Sequence, residues 1–266
     1  MSGVPERGLR LAITQSGAGP AFVFQHGLCG DAAQTAEVFP SDAPFRRVTL
    51  ECRGHGASDM GNLEALSIAT FTDDVAGMIE RECIAPAVLG GISMGAAIAL
   101  RLAVTRPDLV RALVLARPAW ITDGAPANMR PYAEVGELLA QFSPQEARAR
   151  FDRTRTAARL ARSAPDNLAS LRGFFSRAPQ EVTSALLTRI AADGPGVTRD
   201  QVAALRLPVL VMGHASDEAH PLAFAQALAT LIPEARLATI TPKAESRERY
   251  VADFRRELGR FLTELA

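Results

Sequence analysis

Short apolar runs recur along the chain between stretches with helical periodicity, and this alternation constrains the fold more than any other feature. The runs FVF, AVLGGI, ALVLA and PVLVM are almost continuously apolar, which is typical of strands that helices cover on both faces. Seven strands are predicted, at residues 9–15, 21–25, 46–51, 87–92, 111–116, 207–213 and 235–240. The pattern therefore predicts an α/β fold with a mainly parallel sheet flanked by helices.

The length of the chain and one long helical stretch predict how the fold is organised. A chain of 266 residues fits one large domain, because single cores grow to roughly 250–300 residues before chains divide. Residues 120–206 have little β-propensity and are expected to form a helical cap between the core segments 1–119 and 207–266. A final helix should dock on the sheet through apolar residues at helical spacing, which are Val251, Phe254, Leu258, Phe261 and Leu262.

Composition and charge narrow the partners that the chain can have. Hydrophobic residues make up 48% of the chain and charged residues 22%, so a sizeable core can be buried. The formal net charge is zero, which argues against binding to nucleic acid. No apolar stretch is long enough for a membrane span or a secretory signal. The sequence predicts a cytoplasmic protein that binds a small-molecule substrate and no membrane, and it leaves a homo-oligomer open.

The cysteines predict neither a disulfide framework nor a metal site. There are three of them, Cys29, Cys52 and Cys83, an odd number without the C-x-x-C spacing of zinc ligands. Free thiols in a reducing compartment are the expected state. No metal and no cofactor are therefore expected.

The motif Gly91-Ile92-Ser93-Met94-Gly95 directly follows a predicted strand and precedes a predicted helix. A G-x-S-x-G sequence in this position is the pattern of a sharp, strained turn that presents a nucleophilic serine. The glycines are needed because larger side chains would collide with the neighbouring elements. Ser93 is therefore the predicted nucleophile.

Two further segments, at the ends of the second and third predicted strands, extend the pattern. They are Gln25-His26-Gly27-Leu28-Cys29-Gly30 and Glu51-Cys52-Arg53-Gly54-His55-Gly56-Ala57-Ser58-Asp59. With the serine motif, they resemble the α/β-hydrolase superfamily over nearly the whole chain, with Glu51 in the place of the family's usual Asp. The resemblance implies an oxyanion hole formed by the backbone amides of Leu28 and Met94. It also implies that His26 shapes the loop that carries Leu28.

The sequence indicates the acid of a catalytic triad more clearly than the base. The segment after residues 207–213 resembles the family's acid loop, which makes Asp217 the candidate acid, with N-capping of the next helix as the alternative. The family's His after the last strand is missing, because residues 239–247 contain none. Two candidates for the base remain: His220, which could instead pack at a helix start, and Lys243, which could instead be a solvated loop residue. Lys243 is the single Lys beside 28 Arg.

Further residues are predicted to line a substrate pocket. Chain order places Arg117 and Trp120 just after the carboxyl end of a strand, where open α/β sheets bind ligands. The other predicted contacts are Arg130, His26, Gly27 and Lys243. Six arginines between residues 148 and 162 are expected to form a solvated face, with contact to an anionic substrate as the alternative.

These residues lead to two hypotheses of function. The first is a serine hydrolase that cleaves an ester, a lactone or a similarly activated carbonyl through an acyl intermediate on Ser93. The second is a non-hydrolytic member of the fold, a lyase or a small-molecule-binding protein, which the missing His favours. The presence of Ser93, Asp217 and both oxyanion segments favours a catalytic function over ligand binding alone.

Overall fold

The core is one seven-stranded sheet within residues 8–266, the part of the chain that the computed structural model describes. Its strands are β1 (Ile13–Ser16), β2 (Ala21–Gln25), β3 (Arg46–Leu50), β4 (Ala87–Ile92), β5 (Val110–Ala116), β6 (Val209–Gly213) and β7 (Ala235–Thr239). They lie in the order β1-β3-β2-β4-β5-β6-β7, and all neighbours are parallel except β1, which runs antiparallel to β3. The predicted, mainly parallel α/β sheet is confirmed.

The strands follow the predicted ones closely, with one clear difference at β1. β2 and β4 have the predicted bounds, whereas β1 begins at Ile13 and not at residue 9. The chain before β1 bonds to a loop: the Arg10 amide donates to Asp59 Oδ2 at 2.8 Å, and the Ala12 amide donates to Ser58 Oγ at 2.8 Å. Pairing with β3 therefore starts only beyond these contacts.

Residues 8–266 also form eleven α-helices. They are α1 (Ala32–Val38), α2 (Ile68–Arg81), α3 (Met94–Thr105), α4 (Arg130–Gln141), α5 (Pro144–Phe151), α6 (Arg155–Ser163), α7 (Pro165–Gly173), α8 (Gln180–Ala192), α9 (Arg199–Ala203), α10 (Leu222–Leu231) and α11 (Arg247–Glu264). α1 and α11 pack on one face of the sheet, and α2, α3 and α10 cover the other. The central strands are buried on both faces, as continuous apolar runs require.

In chain order, helices α4 to α9 follow β5 and precede β6. They fall in the segment 120–206, for which the sequence predicts a cap. α4 and α8 pack along each other, whereas α9 contacts α3 and α10, which lie on the sheet. We call residues 120–206 the cap segment, and their division from the core stays a prediction. None of the helices within residues 8–266 combines the length and the hydropathy that a bilayer crossing needs.

The parallel strands bring their carboxyl ends to one edge of the sheet. Gln25 of β2 lies opposite Gly91 of β4, and Ile92 lies opposite Ala116 of β5. Ala116 in turn lies opposite Met212 of β6. The loops that follow β2, β4, β5 and β6 therefore converge at the same edge, which is where open α/β sheets form their binding sites.

Helix α11 docks on the sheet through one apolar face. Its buried residues are Tyr250, Phe254, Leu258, Phe261 and Leu262, whereas Val251 is only partly buried. The ring of Phe254 is fully buried, with its centroid 6.3 Å from that of Phe24 on β2 and 5.9 Å from that of Tyr250. This contact joins the last helix to a central strand.

Phe254→Ala should destabilise the fold strongly, because it leaves a cavity between α11 and β2. Truncation of a buried Phe costs about 3–5 kcal/mol of the free energy of unfolding. Val251→Ala is the matched control on the same helix, and its cost should be about 1 kcal/mol because this side chain is only partly buried. Denaturant unfolding followed by circular dichroism measures both, and equal losses in the two variants would contradict the prediction.

Candidate active site

Ser93 lies in a strained turn between β4 and α3. Its φ is +57° and its ψ is −112°, a conformation that costs free energy in residues other than glycine. The Ser93 amide donates to the carbonyl of Ala116 on β5 at 3.0 Å. The turn therefore holds the hydroxyl group at the edge where the strand ends converge.

Two glycines allow this turn because backbones meet where their side chains would be. A Cβ on Gly91 would lie 2.0 Å from the carbonyl carbon of Gly95, and a Cβ on Gly95 would lie 2.4 Å from the carbonyl oxygen of Gln25. Contacts this short do not occur for real Cβ atoms. Both glycines of the motif are therefore required by the packing of α3 against the ends of β2 and β4.

Of the two candidates for the base, His220 is the one that contacts Ser93. Its Nε2 lies 2.8 Å from Ser93 Oγ, and its Nδ1 lies 2.9 and 3.0 Å from the carboxylate oxygens of Asp217. Asp217 and His220 are both on the loop after β6. The other candidate, Lys243, lines the same cavity but makes no hydrogen bond or ion pair within residues 8–266.

The Asp217 carboxylate is buried and accepts hydrogen bonds from three parts of the chain. Arg117, after β5, donates to Oδ2 from Nε at 3.0 Å and from Nη2 at 2.7 Å. Asn167 of α7 donates to Oδ1 at 2.9 Å, and the His220 amide donates to it at 3.1 Å. Burial would raise the pKa of Asp217, but attraction by His220 and Arg117 holds it well below its ordinary value. The alternative role as an N-cap is wrong, because α10 begins at Leu222 without a side-chain cap.

The tautomer of His220 follows from the groups around its Nδ1. Arg117 Nη2 lies 3.1 Å away but can only donate. The Asp217 oxygens can only accept and are closer, so Nδ1 carries the proton and Nε2 is free to accept from Ser93. Burial lowers the pKa of His220, Asp217 raises it and Arg117 lowers it, and the net pKa is below its ordinary 6.5. The imidazole is therefore neutral near pH 7, as a general base must be.

The backbone amides of Leu28 and Met94 have no hydrogen-bond partner within residues 8–266. By contrast, the amides of Gly27, Cys29 and Gly30 all donate hydrogen bonds. Met94 is the first residue of α3, where an amide has no partner inside the helix. Two free amides near the serine suit an oxyanion hole, and that role stays a prediction.

His26 supports the loop that carries Leu28 from the protein interior. Its ring is fully buried, donates from Nδ1 to the carbonyl of Gly27 at 2.8 Å and accepts at Nε2 from the Cys52 amide at 3.1 Å. Burial lowers the pKa of His26, which keeps the ring neutral. Because both nitrogens are used, His26 is not placed to contact a substrate, contrary to expectation, whereas Gly27 does line the cavity.

The Ser93 hydroxyl group borders a cavity of about 370 Å³ between the sheet edge and the cap segment. The cap segment contributes Tyr132, Asp166, Asn167 and Arg177 to its walls. Sequence reasoning missed these four residues. No motif in the cap segment indicates which side of each helix faces the serine.

Of the residues predicted to line the pocket, Trp120 and Arg130 lie outside the cavity wall, whereas Arg117 is part of it. Trp120 is almost fully buried, and its indole donates to the carbonyl of Asp193 at 2.9 Å, outside the cavity wall. Arg130 is exposed at the start of α4 and does not line the cavity. Arg117 does line it, but its guanidinium donates to Asp217. Chain order indicates the correct strand end without fixing the direction of the side chains.

The groups that could compete with Ser93 as a nucleophile or hold a metal are few. Cys29 lines the cavity, but burial raises its pKa to about 12, so the thiol stays protonated at neutral pH. Within residues 8–266, no three His, Cys, Asp or Glu side chains are arranged to hold a metal ion. Ser93, His220 and Asp217 thus form one continuous line of hydrogen bonds, the arrangement that a nucleophile, its base and an orienting acid require.

A family model described as alpha/beta hydrolase fold matches residues 20–242. The chain belongs to the α/β-hydrolase fold family. The matched range includes β2 to β7, the serine turn and the loop with Asp217 and His220. The resemblance inferred from the motifs is thereby confirmed.

Relatives and solved structures agree with this assignment. BpoC of Mycobacterium tuberculosis, named as a non-heme bromoperoxidase, is 30% identical over 236 residues, which are 86% of this chain and 87% of that protein. The sn-1-specific diacylglycerol lipase ABHD11 of Mus musculus is 31% identical over 130 residues, 48% of this chain and 40% of the lipase. The solved structure of the enol-lactonase from Burkholderia xenovorans is similar to this one with a TM-score of 0.66 at 24% sequence identity. The match covers 97% of this chain and 96% of the enol-lactonase. This last likeness supports the fold alone.

The pKa of His220 should lie below 6.5 and should rise in Arg117→Met, because the substitution removes the cation 3.1 Å from Nδ1. Titration of the imidazole by NMR measures both values. Arg153→Met is the control, since Arg153 is an exposed arginine that does not line the cavity, and it should leave the pKa unchanged. A pKa that does not respond to Arg117→Met would contradict the assigned contact.

Proposed function

We propose that the protein is a serine hydrolase that cleaves an ester or a lactone through an acyl intermediate on Ser93. The observation that carries this proposal is the continuous contact from Ser93 Oγ to His220 Nε2 at 2.8 Å and from His220 Nδ1 to Asp217 at 2.9 Å. A nucleophile, a base and an acid that orients the base are the parts that acyl transfer needs.

Each side chain has one task in the proposed reaction. His220 Nε2 takes the proton of Ser93 as Oγ attacks the substrate carbonyl, and Asp217 stabilises the resulting imidazolium. The amides of Leu28 and Met94 bind the oxyanion, which is worth about 2.7–4 kcal/mol for each donor in the transition state. His220 then protonates the leaving alkoxide, and the acyl group stays on Ser93. Water, deprotonated by His220, releases the acid and restores the serine.

The alternative is a non-hydrolytic protein of the same fold, a lyase or a binding protein. It drew its support from the missing His after the last strand. Because His220 provides an imidazole within hydrogen-bond distance of Ser93 Oγ, that support is weakened. The name of one relative, a diacylglycerol lipase, favours an ester as the substrate.

Wild-type protein should react covalently with a fluorophosphonate probe at Ser93, and Ser93→Ala should not react. His220→Gln should slow labelling by about 100-fold or more, because a positioned base contributes 10²–10⁴-fold. Lys243→Met is the matched control for the rejected base candidate and should label at the wild-type rate. Mass spectrometry of the labelled protein gives the site and the rates. Equal labelling of wild type and Ser93→Ala would end the proposal.

The charges of the cavity favour a substrate that bears an anionic group. Arg177 donates to a backbone carbonyl and to a hydroxyl, both neutral, and Lys243 has no partner within residues 8–266. Arg117 is neutralised by Asp217. The remaining carboxylate, Asp166, lies in the first turn of α7, where the helix dipole offsets part of its charge. Arg177 and Lys243 therefore leave positive charge for the substrate to neutralise.

Lys243→Met should weaken the hydrolysis of an acidic ester more than that of a neutral one. A 4-nitrophenyl ester of butyrate and the 4-nitrophenyl hemiester of succinate are a suitable pair. For the hemiester we expect kcat/KM to fall about tenfold, which corresponds to roughly 1.4 kcal/mol, and for the butyrate we expect little change. Arg153→Met removes a charge outside the cavity and should affect neither ester. Equal effects of Lys243→Met on both esters would contradict anion recognition.

A further inference from the structure

We propose that Asn167, on helix α7 of the cap segment, is a positioning residue that keeps Asp217 and His220 in place for reaction at Ser93. The inference rests on the proposed function, because it concerns the same three side chains. Asn167 takes no part in the bond changes and acts through Asp217 and the backbone that follows it. The cap segment is then needed for the chemistry as well as for enclosing the cavity.

Both the nitrogen and the oxygen of the Asn167 side-chain amide form hydrogen bonds. The residue is 7% exposed. Its Nδ2 donates to Asp217 Oδ1 at 2.9 Å, and its Oδ1 accepts from the backbone amides of Glu218 at 2.7 Å and Ala219 at 3.2 Å. A primary amide offers a donor and an acceptor together, which neither Leu nor an ionised Asp does. The residue type thus fits the site through both of its functional groups.

A single loop carries both Asp217 and His220, whereas the family resemblance implies separate loops for the acid and the base. A displacement of this loop therefore moves both side chains relative to Ser93. The cap segment holds the loop at a second point, since Asn128 Nδ2 donates to the carbonyl of Ala219 at 2.7 Å. Misplacement of a catalytic group by 1 Å can cost about 100-fold in rate. The Asn167 contact bears on activity directly because it reaches the Asp217 carboxylate itself, whereas Asn128 holds only the backbone carbonyl of Ala219.

Asn167 orients the carboxylate without adding charge beside the base. The charged and titratable groups around His220 are Asp217, Arg117 and His214. Others line the same cavity, namely Lys243, Arg177, Asp166, Tyr132 and Cys29. A cation in the place of Asn167 would further disfavour the imidazolium, and an anion would repel Asp217. A neutral donor avoids both effects.

Asn167→Leu tests the whole contact, because Leu has the same number and branching of side-chain heavy atoms and no polar side-chain atom. We expect kcat for a neutral ester to fall about 10- to 100-fold with KM within about twofold, since the loss concerns geometry at Ser93 and not binding. The rate of fluorophosphonate labelling should fall by a similar factor. Wild-type values of kcat and labelling rate in this variant would overturn the inference.

Asn167→Asp distinguishes the two roles of Asn167, donation to Asp217 and support of the loop backbone. The variant keeps an acceptor oxygen for the amides of Glu218 and Ala219 but places a carboxyl group against Asp217. Two carboxylates in contact do not both ionise readily, so the introduced group has a raised pKa and donates only while protonated. The ratio of variant to wild-type kcat should therefore fall as the pH rises from about 5 to about 8. A ratio independent of pH would overturn the role of the donor.

Asn128→Leu is the matched control, because Asn128 holds the same loop without touching Asp217. Its kcat should stay within about threefold of wild type at all pH values, while thermal unfolding reports the lost contact in both Leu variants. A loss of kcat as large as that in Asn167→Leu would reduce Asn167 to a general loop support and overturn the proposal. Failure of the proposed function differs from both results, since wild-type protein would then neither hydrolyse esters nor take up the probe.

Discussion

The buried carboxylate of Asp217 is the group around which the site is organised. A buried anion is stable only when donors and an opposite charge surround it, and its partners here come from the loop after β5, from the cap segment and from its own loop. Arg117 supplies the charge, Asn167 supplies a neutral donor, and His220 supplies its imidazole and its amide. The same group thus orients the His220 imidazole toward Ser93 and joins the cap segment to the sheet edge.

The strands and the serine turn could be predicted from the sequence because their physical causes are local. Strands that are buried on both faces need continuous apolar runs, and β2 and β4 accordingly have the predicted bounds. The turn at Ser93 needs Gly91 and Gly95, because a Cβ at either position would overlap a neighbouring backbone. Causes that act over a few residues leave a pattern in the sequence.

The base and the pocket walls depend on how distant segments meet, and the sequence carries no pattern for this. His220 is 127 positions from Ser93, and the path of its loop includes Ser216 with a φ of +60°. Trp120 follows the strand end at which ligands bind, yet its indole turns inward to the carbonyl of Asp193. Asn167 lies in a helix without any motif. Sequence reasoning therefore located the strand ends and the serine turn, but not the side chains that complete the site.

Because the imidazole that contacts Ser93 lies on the loop after β6, the position after β7 does not need to supply one. The family resemblance implies a His there, and this chain has Lys243 in a loop that α11 holds, because Asp253 Oδ2 accepts from the amide of Thr241 at 3.0 Å and from its hydroxyl at 2.6 Å. An ammonium group is a compact charge with three donors, and His220 already occupies the Ser93 hydroxyl. A cation held at the cavity wall is therefore better suited to an anionic group of the substrate than to proton abstraction.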